Sequence, residues 1–271
     1  MEGPSSRALY CPPDASRDGS SIIALFIDPF RSQPDHLKLW SLNPFSCTTE
    51  ISRPCSNDDY VTSLCLFMDL KALLGTRKGH LEVWDLSQGP AAASPLTALA
   101  DAHGDQIWSI KSASLAPSIV LTGSQDTSLK LWDLRTNACV RIMETGVSYA
   151  DIDANAKVAV STDTESDCVR VWDLGSGLCI SSVDLQDPGA EGTPSVFLHE
   201  SGEAMIACNE RTFSAWRTSD LTQPLAKATL PGMENVMLFG CSATADLTSF
   251  AIGRTCASSH VEYVNDIIAW N

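Results

Sequence analysis

The clearest pattern of apolar and polar positions in the chain lies at residues 119–135. Residues 119–122 are an apolar run rich in β-branched side chains, and residues 125–128 (Gln-Asp-Thr-Ser) are turn formers that bond their own backbone. In residues 129–133 leucine alternates with other side chains, which places the leucines on one face of a strand. The pattern therefore predicts two strands joined by a tight turn.

The second strand of this pair ends in Trp-Asp-Leu, and the same ending recurs along the chain. Complete or weaker copies end at Trp40, Trp84, Trp132, Trp172, Trp216 and Trp270. Successive tryptophans are separated by 44, 48, 40, 44 and 54 residues. The positions one and three residues before each tryptophan are apolar in all six copies, so each predicted strand has one apolar face. A unit that recurs at this spacing indicates a repeat architecture.

These stretches resemble the second half of a WD40 repeat, a unit of about 40–45 residues that forms one four-stranded blade of a β-propeller. The resemblance implies an all-β, WD40-type propeller with six recognisable blades, in which residues 1–271 form a single domain. The long interval before Trp270 predicts an insertion in blade six around residues 254–263.

Ring closure has two alternatives. The chain stops one residue after Trp270, and residues 1–7 do not have the pattern of a strand that could complete the last blade. The ring is therefore expected to be incomplete, or the chain is a fragment of a larger, seven-bladed propeller. In either case we expect an exposed sheet edge at residues 267–270.

The composition of the chain argues against membrane and nucleic-acid partners. The longest apolar run, residues 22–27, is much shorter than the roughly 20 residues that cross a bilayer, and no secretory signal is visible. We therefore expect no membrane partner and a cytoplasmic or nuclear location, with the ten cysteines reduced. The net charge of −15 and the lack of a Lys/Arg cluster argue against nucleic acid and favour a basic protein segment as partner.

Blade three combines His103, Thr122, Asp126 and Trp132, a set that includes the residue types of a hydrolase triad. The resemblance implies a structural role instead. In WD40 repeats the indole N–H donates to the hydroxyl, the hydroxyl bonds the imidazole, and the imidazole bonds the carboxylate. We interpret the four residues as a structural tetrad, and we predict no catalytic residue, no cofactor and no metal site.

Other blades depart from the tetrad pattern. Blade two has Leu74 and Lys78 where the hydroxyl and the carboxylate are expected, and blade five has Ile206 and Glu210. Blade four keeps Thr162, although its turn has changed. The blades are therefore expected to differ in stability, with blade three as the anchor.

With the four strands of each blade named a to d in chain order, a candidate partner surface lies at the end of the propeller that collects the b–c turns and the loops entering strand a. Its residues are Gln106, Trp108 and Gln125 from blade three and Asp58 and Asp59 from blade two. Trp108 is not a repeat tryptophan, and two interpretations are open. It is either a hot spot for a peptide or a side chain packed between blades.

We expect the chain to act as a protein–protein interaction scaffold that binds protein or peptide partners. One alternative is a substrate receptor of a cullin-type ubiquitin ligase, because residues 120–135 resemble the docking box that ends in W-D-x-R. Arg135 would then reach a partner carboxylate, whereas otherwise it is a solvated surface charge. The second alternative, a propeller enzyme, requires a titratable cluster in a pocket, which the sequence does not show.

Overall fold

Six antiparallel sheets follow one another along the chain in the computed structural model. The structure describes residues 14–16, 20–26, 34–54, 58–68, 70–91, 94–144, 146, 149–163, 168–185, 194–208, 212–229, 236–243, 250–257 and 263–270. Side chains are described up to residue 228, apart from residues 90 and 91. No helix among these residues is long and apolar enough to span a membrane.

Each sheet pairs its strands in sequence order, and we label the strands of a blade a to d from the innermost outward. Sheet one contains β1 (Asp14–Ala15), β2 (Ser21–Phe26), β3 (Asp35–Leu42) and β4 (Phe45–Arg53). Sheet two contains β5 (Val61–Phe67), β6 (Lys71–Thr76), β7 (Leu81–Asp85) and β8 (Thr97–Leu99), with 3₁₀ turns at Leu86–Ala91 before β8. Sheet three contains β9 (Ile107–Ala113), β10 (Ala116–Ser124), β11 (Ser128–Asp133) and β12 (Ala138–Glu144).

The remaining sheets continue the pattern. Sheet four contains β13 (Ala150–Ile152), β14 (Val158–Asp163), β15 (Cys168–Asp173) and β16 (Leu178–Asp184). Sheet five contains β17 (Ser195–Leu198), β18 (Ala204–Cys208), β19 (Thr212–Arg217) and β20 (Ala226–Thr229). Sheet six contains three described strands, β21 (Val236–Ala243), β22 (Phe250–Ala257) and β23 (Tyr263–Trp270). Every repeat tryptophan lies on the strand predicted for it, and the all-β propeller prediction is confirmed.

The insertion predicted in blade six around residues 254–263 takes the form of a longer hairpin in the described residues. Arg254 pairs with Asp266, and Ala257 pairs with Tyr263, so most of the extra residues lengthen the two strands of one hairpin. The tryptophan interval alone could not distinguish this extension from a loop. Within the described residues β23 pairs only with β22, and the exposed edge expected at residues 267–270 stays a prediction.

The hydrophobic cores lie between the blades. Four clusters fill the gaps between successive sheets from one to five, and each contains the tryptophan of the later sheet. These tryptophans are Trp84, Trp132, Trp172 and Trp216, and all four are buried. Full burial of a large side chain contributes roughly 1.5–3 kcal/mol, so the repeat fixes where each sheet meets the next. Trp40 is half-buried and packs edge-on against Phe26 at 5.7 Å between ring centroids.

The innermost strands are also tied to one another by side-chain bonds to the neighbouring backbone. Between sheets one and two, Asp14 Oδ2 accepts from the N–H of Leu66 at 2.8 Å. The next bonds join Ser63 Oγ to Ile107 O (3.0 Å), Ser109 Oγ to Ala150 N (3.1 Å) and Asp151 Oδ2 to Leu198 N (2.9 Å). Each bond satisfies a backbone group on the innermost strand of the neighbouring blade, and together the bonds join five blades in register.

Two faces of the propeller are distinguished below. The upper face carries the loops that enter each strand a and the b–c turns, such as residues 100–106 and 124–127. The lower face carries the a–b turns and the c–d connections, such as residues 68–70 and 134–137. All candidate partner residues from blades two and three except Arg135 lie on the upper face.

Candidate functional site

The structure brings His103, Thr122, Asp126 and Trp132 together in one hydrogen-bonded chain. Trp132 Nε1 donates to Thr122 Oγ1 at 2.9 Å, and Thr122 Oγ1 lies 2.7 Å from His103 Nε2. His103 Nδ1 lies 2.9 Å from Asp126 Oδ2. This geometry is satisfied by a neutral imidazole that donates from Nδ1 and accepts at Nε2 from the hydroxyl. Each polar group in the chain then has a partner.

The protonation states follow from burial and from the turn around Asp126. Burial lowers the pKa of His103 below its ordinary value, although Asp126 opposes the shift. Burial alone would raise the pKa of Asp126, but bonds from Ser128 and from the N–H of Gly104 lower it to about 2. Asp126 is therefore an anion that fixes the turn, and the neutral His103 is held away from solvent. The set has no free nucleophile.

Blade two replaces the tetrad with an ionic cluster that the sequence pattern did not predict. Trp84 Nε1 donates to Glu82 Oε2 at 2.8 Å, because Leu74 occupies the position of the hydroxyl. Glu82 in turn accepts two bonds from Arg53 of sheet one, from Nε at 2.9 Å and from Nη2 at 2.8 Å. Arg53 also pairs with the fully buried Asp35 at 3.4 Å. Through Arg53, this cluster of charged side chains joins blade one to blade two.

A second substitution in blade two exchanges the positions of the acid and the imidazole. Asp59 stands in the loop that enters β5, and His80 stands at the end of the b–c turn. Asp59 Oδ2 lies 2.9 Å from His80 Nδ1, and Asp59 Oδ1 accepts from the N–H of Lys78 at 3.0 Å. In blade three the imidazole is in the entering loop and the acid is in the turn. The carboxylate of Asp59 therefore binds the b–c turn of its own blade. Because both oxygens are used in this way, Asp59 is poorly suited to contact a partner.

The position equivalent to the Thr122 hydroxyl was assigned to the wrong residue in blades four and five. Trp172 Nε1 donates to Ser161 Oγ at 3.0 Å, and Thr162 Oγ1 instead donates to Tyr149 O at 3.4 Å. In blade five the strand register places Ala207, not Ile206, at this position, and Glu210 lies outside the described residues. In blade four a b–c turn that is one residue longer shifts the count from the tryptophan.

Trp108 lies at the upper mouth of the channel on strand β9, half-buried beside Tyr149 of blade four. The ring centroids are 6.1 Å apart with an interplanar angle of 41°. The indole Nε1 is buried and has no hydrogen-bond partner within the described part of the chain. Trp108 packs between blades three and four, as one interpretation expects. Part of its ring is still exposed, as a hot spot for a peptide requires.

The other upper-face candidates in blades two and three are polar. Gln125 N donates to Gln106 O at 2.9 Å, and neither side-chain amide bonds a described residue. Asp58 is exposed. Arg77, also exposed, lies over the Tyr60 ring at 5.7 Å and carries charge of the opposite sign into the same region. The surface is therefore mixed, with exposed acids and with a basic turn that the sequence did not single out.

Arg135 lies on the lower face, at the start of the turn after β11, and its side chain is 73% exposed. Its Nε and Nη2 donate to Asp133, with Nη2 at 2.6 Å from Oδ2. Asp133 also accepts from the backbone N–H of Arg135 at 3.0 Å. One edge of the guanidinium is therefore occupied within the chain, and the outward Nη1 side faces solvent.

Metal-binding potential is low in the described residues, because no group of three or more His, Cys, Asp or Glu side chains is arranged to hold an ion. Cys47, Cys139 and Cys179 are exposed thiols, whereas Cys65, Cys168 and Cys208 are buried. Burial raises the pKa of Cys65 to about 12. The three exposed thiols lie on the outermost strands of their blades.

Comparison with known proteins places this geometry in a family. No family model matches the chain. WD repeat-containing protein 3 from Homo sapiens is 32% identical over 104 residues, covering 36% of this chain and 9% of that protein. The WD40 domain of Toxoplasma gondii coronin, a crystal structure, has a TM-score of 0.73 and 12% identity, covering 98% of this chain and 72% of that chain. The chain is a WD40-repeat β-propeller.

A longer match is to the Target of rapamycin complex subunit wat1 from Schizosaccharomyces pombe. It is 27% identical over 212 residues, which cover 71% of this WD40 chain and 61% of that protein. The chain thus spans less than two thirds of the length of these curated relatives. The predictions of family and fold are confirmed, and the WD40 relatives support a general role in protein interaction.

Proposed function

We propose that residues 1–271 form one propeller domain that works as a protein–protein interaction scaffold, with a partner segment bound on the upper face around Trp108. The observation that carries this proposal is the state of Trp108 itself. It is a half-exposed tryptophan at the channel mouth whose buried indole N–H has no described acceptor. Tryptophan is enriched among the residues that dominate binding energy, especially where a pocket surrounds it.

The chemistry around Trp108 favours a basic or polar peptide. Asp58, Asp101 and Asp105 are exposed on the upper face of blades two and three, and the side chains of Gln106 and Gln125 offer further amide groups. Arg77 offsets part of this acidity, so we expect selectivity for a pattern of charges rather than for basicity alone. The same acids, with a net charge of −15, disfavour a phosphate backbone as partner.

The experiment compares the affinity of a partner segment for wild type, for upper-face variants and for a charge reversal on the lower face. A photo-crosslinker at Gln125 identifies the bound segment, which is then synthesised and titrated by calorimetry. Asp58→Lys/Asp105→Lys and Trp108→Phe should each weaken binding by roughly tenfold or more. Glu200→Lys/Glu203→Lys, an equal charge reversal on the lower face of blade five, should leave affinity unchanged. If both upper-face variants bind as wild type does, the upper-face proposal is wrong.

The cullin-receptor alternative is not favoured by the geometry of Arg135. Its Nε and Nη2 are bonded to Asp133, so a bidentate fork toward a partner carboxylate would have to displace an internal partner. The enzyme alternative is weaker still, since the tetrad uses its hydroxyl, imidazole and carboxylate on one another. We place the scaffold in the cytoplasm or nucleus, where exposed thiols such as Cys139 and Cys179 stay reduced.

A further inference from the structure

The innermost strands of blades one to five each place one residue at the same level of the central channel. In every blade, strand pairing links this residue through strand b to the residue immediately before the repeat tryptophan. In blade three, Lys111 pairs with Leu121, which pairs with Leu131, the neighbour of Trp132. The five equivalent residues, which we call the equatorial ring, are Asp14, Cys65, Lys111, Asp151 and Phe197.

Three of these five positions carry a charge. Asp14 of blade one and Asp151 of blade four are acids, and Lys111 of blade three is a cation. Cys65 adds no charge, because burial raises the pKa of its thiol to about 12. Phe197 is apolar. The one cation among the five positions therefore lies between two acids in the order of the blades.

Both acids of the equatorial ring are held by the backbone of a neighbouring blade. Asp14 Oδ2 accepts from Leu66 N at 2.8 Å, and Asp151 Oδ2 accepts from Leu198 N at 2.9 Å. Neither carboxylate can rotate away without leaving a backbone N–H of an innermost strand unpaired, which costs free energy. The two negative charges are therefore fixed in position around the channel.

Lys111 is attracted to both acids. Its attraction to Asp151 is the largest influence on the pKa of Lys111, and the attraction to Asp14 adds to it, so this pKa is raised although burial opposes the shift. Neither acid forms a contact ion pair with Lys111 within the described residues, so the cation acts on both at longer range. Such attraction persists in the interior, where charges are screened much less than at the surface.

The two acids also repel each other. Burial raises the pKa of Asp151, the charge of Lys111 opposes this shift, and the charge of Asp14 adds to it. All three charges are therefore within electrostatic reach of one another, although Asp14 belongs to blade one and the other two to blades three and four. Without the cation, only the repulsion would remain.

A force across the channel matters most for blade one. Its described strands pack against blade two, through β1, β2 and β4. Sheet six has three strands in the described part of the chain, and no strand of blade one is seen to complete it there. An attraction between Asp14 and Lys111 therefore holds blade one from a direction other than its junction with blade two.

We propose that Lys111 is an electrostatic clasp that holds blade one to blades three and four across the channel. Asp14 is the group held on blade one, and Asp151 keeps the cation at the level of the equatorial ring. Removal of the cation leaves two like charges at one level, so blade one should then open more readily. The clasp does not depend on the scaffold proposal, because its residues lie inside the channel and not on either face.

The experiment measures the exchange of backbone amide hydrogens in the full chain by mass spectrometry. Lys111→Met keeps the length of the side chain but removes the cation, and it should speed exchange in β2 of blade one roughly tenfold. Lys157→Met is the control, because it removes an exposed cation outside the equatorial ring and should leave exchange in β2 as in wild type. If Lys111 acted only on its own neighbourhood, exchange would change in β9 and β13 but not in β2.

A double-mutant cycle separates the attraction across the channel from local effects. Asp14→Asn keeps an acceptor for Leu66 N, and in wild type it should speed exchange in β2 because the attraction to Lys111 is lost. In the Lys111→Met variant the same substitution should slow exchange in β2, because it removes the repulsion between Asp14 and Asp151. The clasp thus predicts a reversal of sign between the two backgrounds.

Two results would overturn the proposal. One is unchanged exchange in β2 for Lys111→Met, and the other is the same effect of Asp14→Asn in both backgrounds. Should Lys111→Met not fold, Asp14→Asn alone still tests the clasp, because it should speed exchange in β9, in another blade, by about threefold or more. Equal exchange in β9 for Asp14→Asn and wild type would then contradict the clasp.

Discussion

The indole Nε1 of Trp84 donates a 2.8 Å hydrogen bond to Glu82, which lies two residues earlier on the same strand. In blade three the indole of Trp132 instead reaches across to Thr122 on the neighbouring strand. Both tryptophans are buried in the core between two blades, so each N–H requires an acceptor. The acceptor for the indole N–H of the repeat tryptophan is thus a carboxylate in blade two and a hydroxyl in blade three.

This difference makes Arg53 essential for the junction of blades one and two. Arg53→Leu removes the cation that pairs with both Glu82 and Asp35, and it takes the opposite charge away from two carboxylates that are mostly or fully buried. We expect a loss of roughly 3–5 kcal/mol in the free energy of unfolding, as for other broken buried ion pairs. Urea denaturation followed by tryptophan fluorescence measures the change.

The matched control is the pair between Lys38 and Glu50, at 3.1 Å on a more exposed face of sheet one. Lys38→Leu removes a cation of the same blade, but exposed pairs contribute only about 0–1 kcal/mol. Similar losses for Arg53→Leu and Lys38→Leu would show that burial of the Arg53 cluster does not determine its contribution.

Blade three should be the stability anchor of the propeller. Trp132→Ala removes a buried indole from the core between blades two and three and is expected to cost roughly 3–5 kcal/mol. Thr122→Val keeps the volume but leaves the indole N–H and the imidazole without their shared partner, for a loss of about 1–3 kcal/mol. Both values come from chemical denaturation, and a melting temperature equal to that of wild type for Trp132→Ala would contradict the anchor role.

The positions of strands and tryptophans could be predicted from the sequence because alternation and the Trp-Asp-Leu ending are local signals. The hydroxyl partner of Trp172 could not be found by counting, since one additional residue in the b–c turn moves the register from Thr162 to Ser161. Only the pairing of Ser161 with Arg170 reveals the equivalence with Thr122 and Lys130.

The ionic cluster of blade two illustrates a different limit. Its members Asp35, Arg53 and Glu82 come from two sheets, and Arg53 and Glu82 are 29 residues apart in the chain. No local pattern joins them, although Leu74 at the hydroxyl position and an acid two residues before Trp84 were visible signals.

Gly79 should tolerate no side chain, because the loop of blade three lies directly on it. A Cβ at this position would come within 2.2 Å of the carbonyl oxygen of His103, and the residue has a φ of 80°. Gly79→Ala is therefore expected to destabilise the protein by more than the roughly 1 kcal/mol that a left-handed backbone alone costs. The measurement is the melting temperature together with the denaturation midpoint.

Gly89 provides the matched control for this substitution. Its φ of 55° is also positive, with a ψ of −142° that favours glycine, but a Cβ there would meet nothing within 4 Å. Gly89→Ala should therefore show the backbone cost without the steric one. An equal effect of the two substitutions would mean that the contact between the Gly79 turn and the His103 loop is not rigid.

Loss of stability on mild acidification should report on His103. Burial lowers the pKa of His103 below the ordinary value of 6.5, so the unfolded chain binds the proton more readily than the folded one. The stability that the neutral imidazole contributes is therefore complete above about pH 6.5 and is lost as the pH falls below it, by at most about 1.4 kcal/mol per pH unit. Asp126, whose pKa is lowered to about 2 from 3.8, contributes a separate loss at more acidic pH, so measurements between pH 7 and 5 avoid its titration. His103→Gln should flatten the pH dependence of the free energy of unfolding across this interval, while His199→Gln should not. If His103→Gln and wild type show the same slope, the imidazole is not held neutral by the tetrad.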